Sequence, residues 1–207
     1  YLVCRFEGNP VHPWTRLQYV FPSAVYCKKL KLEFYDITPL FDSATNSYST
    51  TLIPCTGGLI FLRKPLSFAP ASGSYVNAEY INTHKIVSTR FKATANGGEK
   101  SIYPLTNAFD ENSKTYYMSN IPNSNNFLNT LQIEFQDSHN FNALLIDTSY
   151  QTRGNVRNFV GYPVLFTIYS SEGNEEFKQV CQFEGYPVYP NERIQFVRGI
   201  NPLLQFQ

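Results

Sequence analysis

Residues Cys27–Tyr35 read CKKLKLEFY. Leu30, Leu32 and Phe34 alternate with Lys29, Lys31 and Glu33, a period of two that places apolar side chains on one face of an extended strand and charged ones on the other. The same period returns in LQIEF (Leu131–Phe135), in VLFTIYSS (Val164–Ser171) and in ERIQFV, where Ile194 and Phe196 share a side. NALLID, at 142–147, is apolar without alternation and reads as a strand buried on both faces. LIFLRKPLSF, from Leu59, adds another strand. The clusters ANGG, NSNN and SEGN supply turns between these runs, and NAFDENS (107–113) is the best helical turn, too short to shape the architecture. The expected fold is all-β: an antiparallel β-sandwich.

Composition agrees. The 207 residues carry 15 Tyr and 17 Phe against 16 % charged residues, a usage suited to pleated, half-buried strands. Seventeen Lys and Arg against 16 Asp and Glu leave a net charge of +1, so no global field attracts nucleic acid or an anionic membrane. No run of about 18 apolar residues offers a membrane-spanning helix. Cys4, Cys27, Cys55 and Cys181 show no CxxC spacing and read chiefly as buried apolar thiols, with disulfides as the alternative. None of the 19 Asn heads a glycosylation acceptor.

The chain repeats itself. VCRFEGNPVHPWTRLQYV (Val3–Val20) and VCQFEGYPVYPNERIQFV (Val180–Val197) align without a gap and share eleven of eighteen residues, where unrelated segments share about one. The residues after each copy also correspond, since the final LLQF (203–206) can play the part of LKLEF (30–34) as a closing strand. Both copies read as the end of a domain. The expected division is therefore 1–35 as the last strands of an incomplete preceding repeat, 36–74 as a polar linker or irregular extension, and 75–207 as the complete domain. Strands as few as those of 1–35 cannot bury both faces alone and must pair with missing strands, with another chain or with the second domain.

Within this frame YPLTNAFDENSKTYYMS (Tyr103–Ser119) resembles a signature segment of the discoidin family, the coagulation factor 5/8 type C domains, which are galactose-binding-like jelly-roll sandwiches. LQIEF, NALLIDTS and GYPVLFTIYSSEGNEEFKQV resemble the family's next strands in the right order. The resemblance covers roughly residues 80–206, and 1–34 match only the last strands. Glu111 stands where the family has Gly, Tyr117 and Phe177 where Trp is common, and Glu172 where Asp precedes Gly173. The resemblance implies a non-catalytic module that binds a glycan or a protein surface through loops at one end of the sandwich, as in cell adhesion. It also implies a structural calcium held by oxygens of Asp110, Asn112 and Thr115, chemically apt for a hard cation; the plainer reading has these residues hydrogen-bond their own turn.

Ligand-binding candidates come from residue chemistry. SYQTRGNVRNFVGYP reads as a long loop carrying Tyr150, Arg153 and Arg157, whose guanidinium groups and aromatic neighbour can hold a carboxylate or an array of sugar hydroxyls. INTHKIVSTRF supplies His84, with Lys85 and Arg90. No HExxH or GxSxG motif occurs, and His12, His84 and His139 have no nucleophile or ligand partner nearby in sequence, so no enzyme is expected. Two other functional classes stay open: a scaffold component of a large intracellular assembly, including a ciliary one, and an accessory domain of a larger carbohydrate-active enzyme or peptidase. The family resemblance implies extracellular display, while the lack of glycosylation acceptors leans towards the assembly.

Overall fold

A computed structural model describes residues 16–38, 41–42, 47–48, 52–64, 85–86, 90–112, 115–147, 150–153, 156–159, 161–184 and 195–198. The described chain is nearly all β. Its strands are β1 (Arg16–Ile37), β2 (Phe41–Asp42), β3 (Ser47–Tyr48), β4 (Cys55–Thr56), β5 (Leu59–Leu62), β6 (Phe91–Ala95), β7 (Tyr117–Met118), β8 (Thr130–Asp147), β9 (Tyr150–Arg153), β10 (Val156–Phe159), β11 (Pro163–Ser171), β12 (Lys178–Glu184) and β13 (Gln195–Arg198). One 3-10 turn, Leu105–Ala108, overlaps the start of NAFDENS.

Two long strands make the architecture. β1 and β8 run antiparallel along most of their length, but their register slips twice. Between Cys27 and Lys29 the partner jumps from His139 to Glu134, so the extra residues are on β8. Between Val20 and Val25 it moves only from Ala143 to Phe141, so the extra residues are on β1. Bulges of this kind bend a strand and raise its twist. The β1 bulge turns Phe21 inward and leaves Pro22, Ser23 and Ala24 exposed, and a bulge is where a strand tolerates proline.

The bends fold one seven-stranded sheet into two layers. In one layer the order is β12, β11, the second half of β1, the first half of β8, then β6. In the other it is β13, the first half of β1, the second half of β8, then β5. Contacts across the gap show that the layers face each other. Tyr19 meets Phe166 edge-on at 4.8 Å and Phe183 at 5.1 Å, while Phe61 meets Phe135 at 5.5 Å. Such ring pairs contribute about 0.5–1.5 kcal/mol each beyond burial.

Burial follows the alternation read from the sequence. Leu30, Leu32, Phe34, Leu131, Ile133, Phe135, Phe166 and Ile168 are all at most 2 % exposed, while Lys29, Lys31 and Glu33 line the opposite, wetter face. Ala143, Leu144, Leu145 and Ile146 are buried without exception: Leu144 and Ile146 join the central core, Ala143 and Leu145 a second cluster with Ile60 and Leu62. Cys27, Cys55 and Cys181 are buried free thiols; Cys4 lies outside the described residues.

Three features differ from the expectation. LQIEF and NALLID are one bent strand, because β8 crosses the bulge without breaking. Within the span read as a linker or irregular extension, Cys55–Thr56 supply β4, which was not expected, beside the fully buried β5 at the strand read from Leu59. The strand expected to belong to a preceding body, β1, lies in the middle of both layers, and of the three partners open to it the fold uses the strands of the second domain.

A buried polar network closes the sheet end where β8 begins. Ser119 Oγ donates to Asn129 Oδ1 at 2.6 Å, Asn129 Nδ2 to Ile121 O and Asn123 Oδ1 at 2.8 Å, and Asn123 Nδ2 to the Phe34 carbonyl at 2.7 Å. Gly97 lies against this network so tightly that a Cβ there would fall 2.0 Å from Asn129 Oδ1.

Gly161 is constrained by both its backbone and its neighbours. Its φ is +55°, and a Cβ would fall 2.0 Å from the Ile53 carbonyl oxygen. Gly173, with φ +104°, has open space around it. In urea unfolding, Gly173→Ala is expected to cost about 1–2 kcal/mol from backbone strain alone, and Gly161→Ala at least about 3 kcal/mol, since backbone must also move. Equal costs would contradict the packing described at Gly161.

Candidate functional site

The stretch read as a long loop is a hairpin. Tyr150 pairs with Phe159, Gln151 with Asn158, Thr152 with Arg157 and Arg153 with Val156, all antiparallel. Gly-Asn between two short runs is itself a hairpin signal. β9 and β10 form a sheet of their own, apart from the main one. Arg157 stands opposite Thr152 and Arg153 opposite Val156, so the two arginines are not cross-strand partners.

The base of this hairpin is fixed from three directions. Cys55 N donates to the Gly161 carbonyl at 2.8 Å. Thr38 N donates to Tyr162 O and Tyr162 N to Thr38 Oγ1, each at 2.8 Å. The hydroxyls of Tyr162 and Tyr19 lie 2.7 Å apart in the core. Burial drives the Tyr19 phenol well above its ordinary pKa, against the smaller opposing effect of the Tyr162 hydrogen bond, so the hydroxyl stays neutral.

Asp110, Asn112 and Thr115 do come together. Asp110 Oδ1 accepts from Asn112 N at 2.9 Å, and Oδ2 accepts from Thr115 Oγ1 at 2.6 Å; Thr115 Oγ1 is also 2.9 Å from the Asn112 carbonyl. Glu111 takes φ +55° and turns to Lys85, 2.8 Å from its Nζ. The donor set is all oxygen, one carboxylate, one carbonyl and one hydroxyl, which suits calcium in kind but is short of the six to eight oxygens it takes. Both Asp110 oxygens already accept hydrogen bonds, so the turn closes on itself, and an ion would have to displace the Thr115 proton. His84 lies outside the described residues. Its neighbour Lys85 forms a bridge with Leu62 and pairs with Glu111.

Sequence reading did not single out the wet face of β1 and β11 as a site. Lys31 Nζ donates to Glu33 Oε1 at 2.8 Å and lies 4.4 Å from the Tyr169 ring centroid and 5.1 Å from that of Phe177. Tyr35 donates to Glu33 Oε2 at 2.8 Å, and its oxygen is 3.4 Å from the Tyr169 hydroxyl. Partial burial acts to raise the Glu33 pKa, but hydrogen bonds from Lys31, Tyr35 and Tyr169 outweigh it and hold the carboxyl below its usual 4.5. Burial and the adjoining carboxylate push the Tyr169 phenol up. The signal was the alternation itself, which puts Lys31, Glu33 and Tyr35 on one face; only the sheet order brings Tyr169 beside them.

An open cleft of about 390 Å³ lies where β8 bulges, lined by Tyr26, Arg63, Ile86, Ser138, His139 and Asn140. The His139 ring sits edge-on to Phe135 at 5.7 Å, and Tyr26 is 56 % exposed. Among the described residues no three His, Cys, Asp or Glu side chains gather as a metal group. Burial raises the thiol of Cys27 to about 12, helped by the nearby Glu172 carboxylate, and it raises Cys55 and Cys181 as well, so these thiols are poor nucleophiles.

A carboxyl with a depressed folded pKa stabilises above its unfolded value and loses that contribution as pH falls through the folded value. Stability is thus expected to drop below pH 4.5 in a part that Glu33→Gln removes, read from urea midpoints against pH; parallel curves for the two proteins would refute the Glu33 assignment. At the turn, Asp110→Ala is expected to cost about 1–2 kcal/mol by losing two accepted hydrogen bonds. A bound calcium would show as a rise in wild-type Tm that Asp110→Ala abolishes. Equal melting with calcium and with chelator assigns Asp110, Asn112 and Thr115 to the turn alone.

Comparisons with protein-family models, with curated proteins and with solved structures give no match to this chain.

Proposed function

We propose that this chain is a non-catalytic recognition module of discoidin-like type, which engages a glycan or a protein surface through the β9–β10 hairpin. The observation that carries this reading is the contrast between hairpin and base. A two-stranded excursion bearing Tyr150, Arg153 and Arg157 leaves the sandwich between β8 and β11, and its return at Gly161–Tyr162 is tied to Thr38, Cys55 and Tyr19. Binding residues are commonly borne on segments held by a rigid scaffold, because rigidity lowers the entropy lost on association.

Arginine forks favour carboxylates, and tyrosine rings favour the apolar faces of sugars. Acidic glycans are therefore the first ligands to test. Calcium at Asp110, Asn112 and Thr115 belongs to the same reading as a structural ion.

On a glycan array probed with and without calcium, wild-type protein is expected to retain acidic glycans, with Arg153→Ala/Arg157→Ala binding at least about tenfold more weakly. Uniform silence under both conditions would defeat the glycan reading. Equal binding by the double variant would move the site away from the hairpin.

A further inference from the structure

The slip of β8 against β1 makes a cleft that the hairpin does not use. Between the Lys29–Glu134 and Cys27–His139 pairs, residues 135–138 of β8 stand against Lys28 alone, and the surplus chain leaves the regular ladder just before His139. Bulges commonly re-aim side chains in this way. The cleft of about 390 Å³ at this point is within the range of small-ligand sites, about 300–1,000 Å³.

Each wall is held by a contact of its own. Tyr26 and Asn140 are direct cross-strand partners, so their side chains leave the sheet on one side, and the burial of Cys27 next to Tyr26 makes that side the outer one. Asn142 Nδ2 donates to the Arg63 carbonyl at 2.5 Å, which ties the end of β5 to β8. Ile86 N donates to the Phe61 carbonyl at 2.8 Å, and the His139 ring sits edge-on to Phe135 at 5.7 Å and to Phe141 at 6.2 Å. Walls fixed before a ligand arrives lower the ordering cost of binding.

The lining is complementary to an acid. Arg63 is exposed, and none of the ion pairs between described residues involves it. Among the described residues no Asp or Glu lines the cleft; Asp137, next to Ser138, is exposed outside it. An arginine fork takes a carboxylate through two parallel hydrogen bonds. Tyr26, 56 % exposed, presents an open ring beside the apolar Ile86, while Ser138 and Asn140 add a hydroxyl and an amide that can donate or accept.

We propose that this cleft binds a small hydroxylated ring acid of the sugar-acid class. Its carboxylate is held by Arg63, one face of its ring packs on Tyr26, and its hydroxyls meet Ser138 and Asn140. The site does not rest on the hairpin reading, and it requires the acid group, since a neutral sugar offers Arg63 no charge.

Titration of the full chain with sodium glucuronate, at constant pH and ionic strength and followed by the NMR shifts of the His139 ring, tests this. A saturable shift is expected with glucuronate and none with glucose over the same range. Arg63→Ala is expected to weaken binding at least about tenfold, as for loss of a charged hydrogen-bond partner, and Tyr26→Ala to weaken it as well. Both side chains are exposed, so unchanged melting is expected, and either variant alone can decide the matter if the other fails to fold. Arg153→Ala/Arg157→Ala is expected to bind glucuronate as the wild type does, which separates this site from the hairpin. The proposal is overturned by silence towards glucuronate, by an equal response to glucose or acetate, or by unchanged binding in Arg63→Ala. Loss of binding in the hairpin variant alone would likewise overturn it and assign the acid to the hairpin.

Discussion

Everything in this sandwich depends on the antiparallel pairing of β1 with β8 and on the two slips in its register. Without the slips, two long strands would form a ribbon with one apolar face and no second layer. With extra residues on β8 at one bend and on β1 at the other, the pair folds over, and each strand serves both layers. Tyr19 can then meet Phe166, and Phe61 can meet Phe135, although each is paired in a different layer. Aromatic rings recur through this interior, since they can span a gap about 10 Å wide between sheets.

Polar order at the edges complements this core. Asn123, Asn129 and Ser119 satisfy one another and tie the loop before β8 to the Phe34 carbonyl of β1, so the pairing of the two long strands is fixed at its end as well as along its length. Buried amides of this kind are costly when unpaired and specify a single arrangement when paired. The clamp around Gly161 and Tyr162 plays a similar part for the hairpin. Hydrogen bonds from separate segments hold its base in place.

The duplicated segment brings part of its second copy beside the first. β13 runs parallel to the start of β1, from Leu17 with Gln195 to Val20 with Arg198, so similar sequences become neighbours in one layer.

The strands, their buried faces and the presence of a repeat were legible in the order of amino acids alone, because a period of two and a burial requirement are local properties. Leu30, Leu32, Phe34 and the run 143–146 could be read for that reason, as could the Asp110 turn, whose partners are within five residues. Folding in three dimensions settled whatever depends on which strands become neighbours. The continuity of β8 through its bulge, the place of β1 in the middle of the sandwich, the meeting of Glu33 with Tyr169 and the clamp on Tyr162 all join residues far apart in the chain. Alternation fixes which side of a strand is apolar, but it carries no information about the partner that covers it.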